Sequence, residues 1–396
     1  MSEAGPIPRS AASPGEPGKV PARAIHVALV GYGLAGRAFH APVISRVKGL
    51  HLAAIVERTG DQAAQTYPQA RILRSFDEVL SIPEIRLIVI ASPNHTHYEF
   101  ARRAIEAGRD VLVDKPFTPT LPEAVELVQL AKEQRRVITV YQNRRYDGDF
   151  AAIRKIVAAG KLGRIVTFET HYDRYRPALK HGVWREQVGP GNGLWFDIGP
   201  HLVDHTLTLF GEPEAITADI RIVRDGAVAD DSFDVTLHYP GALRATLSSA
   251  ILAAATRPRF VLQGTLGTFV KQSFDPQELR LRAGNIAARG AWGREPKKNW
   301  GVLTTPEGDG FRRQSIPGEP CDYRDFYQNL RDALRHRAEL AVSPQWAINV
   351  MQILELARES SARRTTIPYT RVSAGLPSSE EIPAAQVAKS SGATNA

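Results

Sequence analysis

The chain has 396 residues, of which 43% are hydrophobic and 23% charged, with a formal net charge of +8. That length and balance predict a soluble globular protein with two ordinary domains. No run is long and apolar enough to span a bilayer, the basic residues are scattered rather than blocked, and the single cysteine, Cys321, excludes an intrachain disulfide.

Residues 1–23 are rich in Pro, Gly, Ser and Ala and carry no apolar core of a secretory signal. They are expected to be a disordered tail, and the protein to be cytoplasmic. Ile25 to Val30 is an apolar run ending at Gly31, which reads as a buried parallel strand. A helix is expected from Leu34 towards Val47, then a strand from Leu50 to Val56 and another from Arg86 to Ala91. Thr96 to Ala107 has helical spacing and stops at Gly108. Asp110 to Val113 is a strand, Pro122 to Gln134 a helix, and Val137 to Tyr141 a strand again. This alternation predicts a doubly wound parallel sheet over residues 24–145.

The pattern changes near Tyr146. A helix from Phe150 to Ala159 precedes an alternating strand from Arg164 to Tyr172, and a Gly-rich turn at Gly189 to Gly193 leads to a helix from Pro200 to Phe210. Strands follow at Ala215 to Val223, Ser232 to Tyr239, Arg244 to Ile251, Phe260 to Gly264 and Thr268 to Gln272. Runs of strands joined by short turns predict an α+β domain over 146–370 with a largely antiparallel open sheet. Helices at Asp325 to Arg335 and Gln345 to Ser360 complete it, and 371–396 reads as a second disordered tail.

Gly31-Tyr32-Gly33-Leu34-Ala35-Gly36 fits G-x-G-x-x-G between a strand and a helix, the context of a dinucleotide pyrophosphate loop. Gly31 permits the turn, Gly33 admits the pyrophosphate, and Gly36 lets helix and strand approach. Glu57 ends the second strand, where a carboxylate can accept hydrogen bonds from the ribose hydroxyls and favours NAD; Arg58 beside it favours the 2′-phosphate of NADP. Either cofactor is possible on this pattern, with Glu57 tipping the balance to NAD. Ser92, Pro93, Asn94 and His97 follow one strand, Asp114 and Lys115 the next, and Gln142 the last, so all are placed at the cofactor edge of the sheet. Asp197 and His201 stand four apart, so a helix would put carboxylate and imidazole on one face, as an acid–base histidine requires. A metal is not expected: the His95/His97 pair lacks further ligands, and Asp197, His201 and His205 lack cysteines or an HExxH pattern. Arg144, Arg174, Arg176, Trp184 and Arg185 are candidates for the substrate side, since arginine forks suit vicinal hydroxyls or a carboxylate.

Together, the glycine turn, Asp114-Lys115-Pro116 and Asp197-Ile198-Gly199-Pro200-His201-Leu202-Val203-Asp204 resemble the Gfo/Idh/MocA family of NAD(P)-dependent sugar and cyclitol oxidoreductases. Phe39-His40-Ala41-Pro42, the segment Gln142 to Phe150, and His171 to Pro177 look like its branch of NADP-dependent scyllo-inositol 2-dehydrogenases. Asp114 stands where the family usually has Glu, and that branch tends to lack an acid at the position of Glu57. The resemblance implies hydride transfer between nicotinamide and a hydroxyl-bearing carbon of a sugar, polyol or inositol. His201 would be acid and base, Lys115 would hold the substrate oxygen, and Asp197 would orient His201. It also implies a homodimer or homotetramer and no nucleic-acid or membrane partner. A non-catalytic dinucleotide-binding regulator and an NAD-assisted glycosidase of the same fold are the alternatives; a regulator has no need of Lys115, Asp197 and His201 together.

Overall fold

The computed structural model describes residues 23–180, 182, 184–284, 294–320 and 322–374. Cys321 and most of the two expected tails lie outside the described residues. Six strands form the first sheet: β1 (Ile25–Val30), β2 (Leu50–Val56), β3 (Arg71–Leu73), β4 (Leu87–Ile90), β5 (Asp110–Val113) and β6 (Ile138–Val140). Their order is β3-β2-β1-β4-β5-β6, and every pair is parallel. All residues of β4 and β5 are buried, as helices on both faces require. The order reverses between β1 and β4, so a crevice opens beyond their carboxyl ends. β3, a three-residue strand, escaped the sequence pattern because it is too short to show alternation.

The helix after the glycine turn is shorter than expected and uneven. Gly36–His40 is a π-helical turn, followed by an α-helical turn over Ala41–Ile44. Pro42 has no N–H to continue the ladder, and the Ala41 N–H reaches back to the Gly36 carbonyl.

The second sheet has nine strands: β7 (Ile165–His171), β8 (Ala215–Arg221), β9 (Ser232–His238), β10 (Arg244–Ala250), β11 (Phe260–Gly264), β12 (Gly267–Lys271), β13 (Gly301–Glu307), β14 (Gly310–Ile316) and β15 (Ile367–Pro368). They run β14-β13-β12-β11-β7-β10-β9-β8-β15, antiparallel except where β10 lies parallel to β7. The helix expected from Pro200 starts a turn and a half earlier and spans Leu194–Phe210. Asp230 supplies its start: its carbonyl accepts the Leu194 N–H and its carboxylate the Trp195 N–H, both at 2.7 Å. Pro200 therefore sits inside the helix, and Gly199 makes room for the Trp195 ring, which a methyl group there would strike at 2.5 Å.

The late helices Arg324–Leu334 and Pro344–Arg363 belong to both layers. Tyr327 meets His40, and Glu355 accepts the Leu121 N–H at 2.6 Å. The chain also stays docked past the expected start of the second tail. Gln352 accepts the Val372 N–H at 3.0 Å, and Gln345 donates to the Val372 carbonyl at 2.7 Å. No described helix is long and apolar enough to cross a membrane.

Candidate active site

The glycine turn has the steric form its spacing implies. Gly31 has φ of +102°, and a side chain there would meet the Ala91 carbonyl oxygen at 2.7 Å. A Cβ on Gly36 would fall 2.0 Å from the Gly31 oxygen, whereas one on Gly33 would meet nothing within 4 Å. Gly31 and Gly36 thus build the turn, and Gly33 leaves it open on the side a ligand would approach. That open cradle at a helix start fits a dinucleotide pyrophosphate.

A cleft of about 320 Å³ begins at Leu34 and Ala35 in this turn. Its walls include Asp114, Lys115, Arg144, Arg174, Arg176, Arg185, Asp197 and His201. Lys115 and Asp197, 82 positions apart in sequence, are thereby brought together. Lys115, at the end of β5, donates from Nζ to the Asp197 carbonyl at 2.5 Å and to Asp197 Oδ1 at 2.9 Å. Arg174 lies 3.6 Å from Asp197 Oδ2 and Arg185 3.8 Å from Oδ1. Burial alone would raise the Asp197 carboxyl, but Lys115, then Arg174 and Arg185, outweigh it and hold it well below the usual carboxylate range.

This corrects the expectation that Asp197 orients His201. The two do share a helix face, yet no hydrogen bond joins them, because three cations draw the carboxylate the other way. His201 is 5% exposed, and its Nδ1 is sealed with no hydrogen-bond partner. Burial, reinforced by Lys115 and Arg144, pushes its pKa well below the ordinary histidine value, so the ring is neutral near pH 7. The final aspartate of the motif, Asp204, does something different. It grips Arg145 through two oxygens at 2.7 and 2.8 Å and accepts the Trp346 indole N–H at 2.8 Å. His205 stacks on Phe150 and faces the Arg144 carbonyl. Among the described residues, no group of three His, Cys, Asp or Glu side chains could hold a metal ion.

The remaining expected residues divide. Glu57 is 7% exposed, and its oxygens accept the Gln62 and Ala63 N–H groups at 3.2 and 2.9 Å, at the start of helix Gln62–Thr66. Arg58 is exposed beside it. Ser92 Oγ meets Thr96 Oγ1 at 2.6 Å, Pro93 is exposed, and Asn94 donates to the Gly191 carbonyl at 2.9 Å. His97 braces the edge rather than facing the crevice: its ring bridges the carbonyls of Pro116 and Ser92 at 2.8 and 3.0 Å. Gln142 is buried, and Tyr32 packs edge-on against Tyr67. Arg144 is locked by Glu278, by Tyr172 at 2.9 Å and by Asp147 at 3.4 Å. Trp184 begins a short turn, but its side chain lies outside the described residues.

Two groups of site residues were invisible as local patterns. Glu278 faces the cleft from helix Gln277–Arg282; Arg144 counters its burial and holds its carboxyl at about 2. His40, fully buried, touches Tyr327 at 2.6 Å and lies 3.8 Å from Asp114, whose other oxygen accepts the Lys115 N–H at 2.8 Å. In the sequence, His40 stands out only through the family resemblance of Phe39-His40-Ala41-Pro42, and Glu278 carries no local signal.

Comparison with known proteins agrees with this architecture. Residues 25–142 match the oxidoreductase family with an NAD-binding Rossmann fold, and residues 150–270 match the GFO/IDH/MocA C-terminal domain. The chain is 41% identical to the uncharacterized oxidoreductase YdgJ of Escherichia coli (strain K12), over 87% of this chain and 98% of that protein. It is 35% identical to the scyllo-inositol 2-dehydrogenase (NADP(+)) IolW of Bacillus subtilis (strain 168), over 87% of this chain and 95% of that one. The solved structure of the oxidoreductase yvaA from Bacillus subtilis superposes with a TM-score of 0.84 at 35% identity, covering 87% of this chain and 98% of that chain. The chain belongs to the GFO/IDH/MocA family of oxidoreductases, with its NAD-binding Rossmann fold.

Proposed function

We propose that the protein is a dehydrogenase that oxidises a secondary alcohol of a polyol, sugar or cyclitol to a ketone, with NADP as hydride acceptor. The observation that carries this is that one cleft joins the glycine turn to Lys115, Asp197 and His201. When bound, the nicotinamide takes the hydride from the carbinol carbon.

The chain's own groups manage the oxygen and the proton. An ammonium has three N–H donors, and Asp197 engages two of those on Lys115. The third is left for a substrate oxygen, where it would stabilise the negative charge that grows as the O–H proton departs. Asp197 then serves as the anchor that fixes the direction of Lys115. His201, neutral and with Nδ1 sealed, keeps Nε2 as the nitrogen able to exchange a proton with the cleft. Its conjugate acid is disfavoured beside Lys115, so the proton passes on rather than resting there. His40, held by Tyr327 at its Nδ1, packs 3.8 Å from Asp114, whose other oxygen accepts the Lys115 backbone N–H.

Engagement of Glu57 supports NADP over NAD. A carboxylate already accepting two N–H groups at a helix start is partly neutralised and repels a phosphate less. Arg58 stands exposed next to it, suited to that phosphate. The NADP named for IolW is in keeping with this choice. The test is a turnover screen of polyols, sugars and inositols with NADP and NAD, read by nicotinamide absorbance. Reduction of cofactor by at least one of them is expected. Failure of the whole panel in both directions, with cofactor binding intact, would overturn the assignment.

A further inference from the structure

The cleft holds more positive charge than its own acids can match. Eight cationic and six acidic side chains line it. Asp197 is matched by Lys115, Arg174 and Arg185. Glu278 is matched by Arg144 and, at 3.1 Å, by Arg282. Arg224 meets Asp231 at 2.9 Å and Glu186 at 3.6 Å. Asp230 has the Trp195 N–H and Arg358, and Asp114 has His40.

Arg176 is left over. Its backbone is fixed, with its N–H on the Ile251 carbonyl at 2.8 Å and its carbonyl accepting from Arg224. Its guanidinium has no ion pair among the described residues. Arg176 is exposed as a whole, but partial burial of its guanidinium, then Arg174 and Arg282, push its pKa below the ordinary arginine value against a smaller opposing pull from Asp197. Lys180, exposed at the same wall, adds a second cation without a carboxylate among the described residues. An anion arriving between these groups would relieve repulsion that the free protein sustains, and a guanidinium fork matches an oxyanion through two N–H donors.

We infer that the substrate is an anionic polyol, carrying a carboxylate or phosphate on the same molecule as the reacting hydroxyl, and that Arg176 receives that group. This rests on the assignment of the cleft to alcohol oxidation. It narrows the substrate from neutral sugars and cyclitols to sugar acids or sugar phosphates. The oxidised bond is unchanged: the carbinol C–H electron pair leaves as hydride to the dinucleotide, the O–H proton goes to His201, and the oxyanion takes no part beyond holding the substrate in place.

The experiment compares matched neutral and charged probes on the NADP-loaded protein: D-glucitol, D-gluconate and the phosphate ester of glucitol, with myo-inositol and its monophosphate as a second set. Calorimetry reads binding and nicotinamide absorbance reads turnover. A charged member of a set should bind, and be turned over, at least about tenfold better than its neutral partner. Arg176→Gln should remove that advantage, the charged probe losing at least about tenfold more than its neutral partner, with the NADP affinity and the unfolding midpoint unchanged. Whether the carboxylate or the phosphate gains more identifies the oxyanion. Equal handling of neutral and charged probes overturns the inference, as does an Arg176→Gln loss shared by both or transferred to NADP. Charge-selective binding lost in Arg176→Gln, without turnover of any probe, would uphold the oxyanion seat at Arg176 and pass the dehydrogenase assignment to the full turnover panel. Turnover without charge preference would overturn the inference and uphold the dehydrogenase assignment.

Discussion

The glycine turn separates folding from binding at two neighbouring positions. A methyl group on Gly36 would lie 2.0 Å from the Gly31 carbonyl oxygen and 3.0 Å from its carbon. An ordinary carbon–oxygen contact is about 3.3 Å, so the turn would have to open by more than an ångström. Neither contact is the end of a flexible side chain, and β1 behind them is almost wholly buried. Overpacking of this kind costs about 1–3 kcal/mol, and rigid backbone on both sides places Gly36→Ala at the upper end. At about 2 °C per kcal/mol for a large chain, the unfolding midpoint should fall by roughly 5 °C. Gly33 is the contrast, since its added methyl meets no atom within 4 Å. Gly33→Ala should leave the midpoint of the cofactor-free protein within about 1 °C, yet raise the NADPH dissociation constant at least about tenfold, or about 1.4 kcal/mol, because the methyl stands where the pyrophosphate approaches. Thermal unfolding without cofactor and titration of NADPH fluorescence give the two numbers. A Gly33→Ala protein that binds NADPH like the parent would refute the placement of the pyrophosphate. An unchanged midpoint for Gly36→Ala would refute the packing argument.

Lys115→Met should lower kcat by about 10²–10³ while NADPH affinity stays within about threefold, checked by single-turnover rates with saturating cofactor. The sign of the His201 shift sets the pH dependence. A folded-state pKa well below the ordinary histidine value keeps the base unprotonated, so kcat/KM for oxidation should hold flat as pH falls through the ordinary histidine range, with its acid limb below that range. In Lys115→Met, one depressing charge is gone and the limb should move up, while burial still holds it below the ordinary histidine value. Asp197→Asn should cut kcat at least about tenfold by loosening Lys115, but leave the acid limb in place; a moved limb would show that Asp197 acts through His201 after all. Arg58→Ala should reduce the NADP-to-NAD ratio of kcat/KM by about tenfold, whereas Glu57→Gln should chiefly cost stability, about 1 kcal/mol, through the start of helix Gln62–Thr66.

What could be read from the sequence is what lies close together along it. Gly31, Gly33 and Gly36 declare strand, turn and helix within a dozen residues, and their steric roles follow from that local geometry. The ends of β4, β5 and β6 were equally legible, because parallel strands buried on both faces leave continuous apolar runs. The start of helix Leu194–Phe210 was not, and the reason is physical. Pro200 imitates the first turn of a helix, while the true start is satisfied by Asp230, which arrives from the loop before β9. The hairpin of β13 and β14 was missed for another reason: every residue of β14 but its last is exposed, so it shows no apolar alternation.

The largest change concerns Asp197. Spacing of four residues on one helix made His201 its natural partner, and that argument was sound as far as a helix goes. It could not weigh charges contributed by other elements. Lys115 comes from β5, Arg174 from the segment after β7 and Arg185 from a separate turn, and their summed field decides where the carboxylate points. The consequence reaches the chemistry. A histidine backed by a carboxylate would be a stronger base with a raised pKa; His201, facing cations and no acid, is held neutral and sheds its proton readily. Lys115, anchored twice by Asp197, has its direction fixed, and under the proposed alcohol oxidation that anchoring would aim the ammonium at the oxygen on which charge develops.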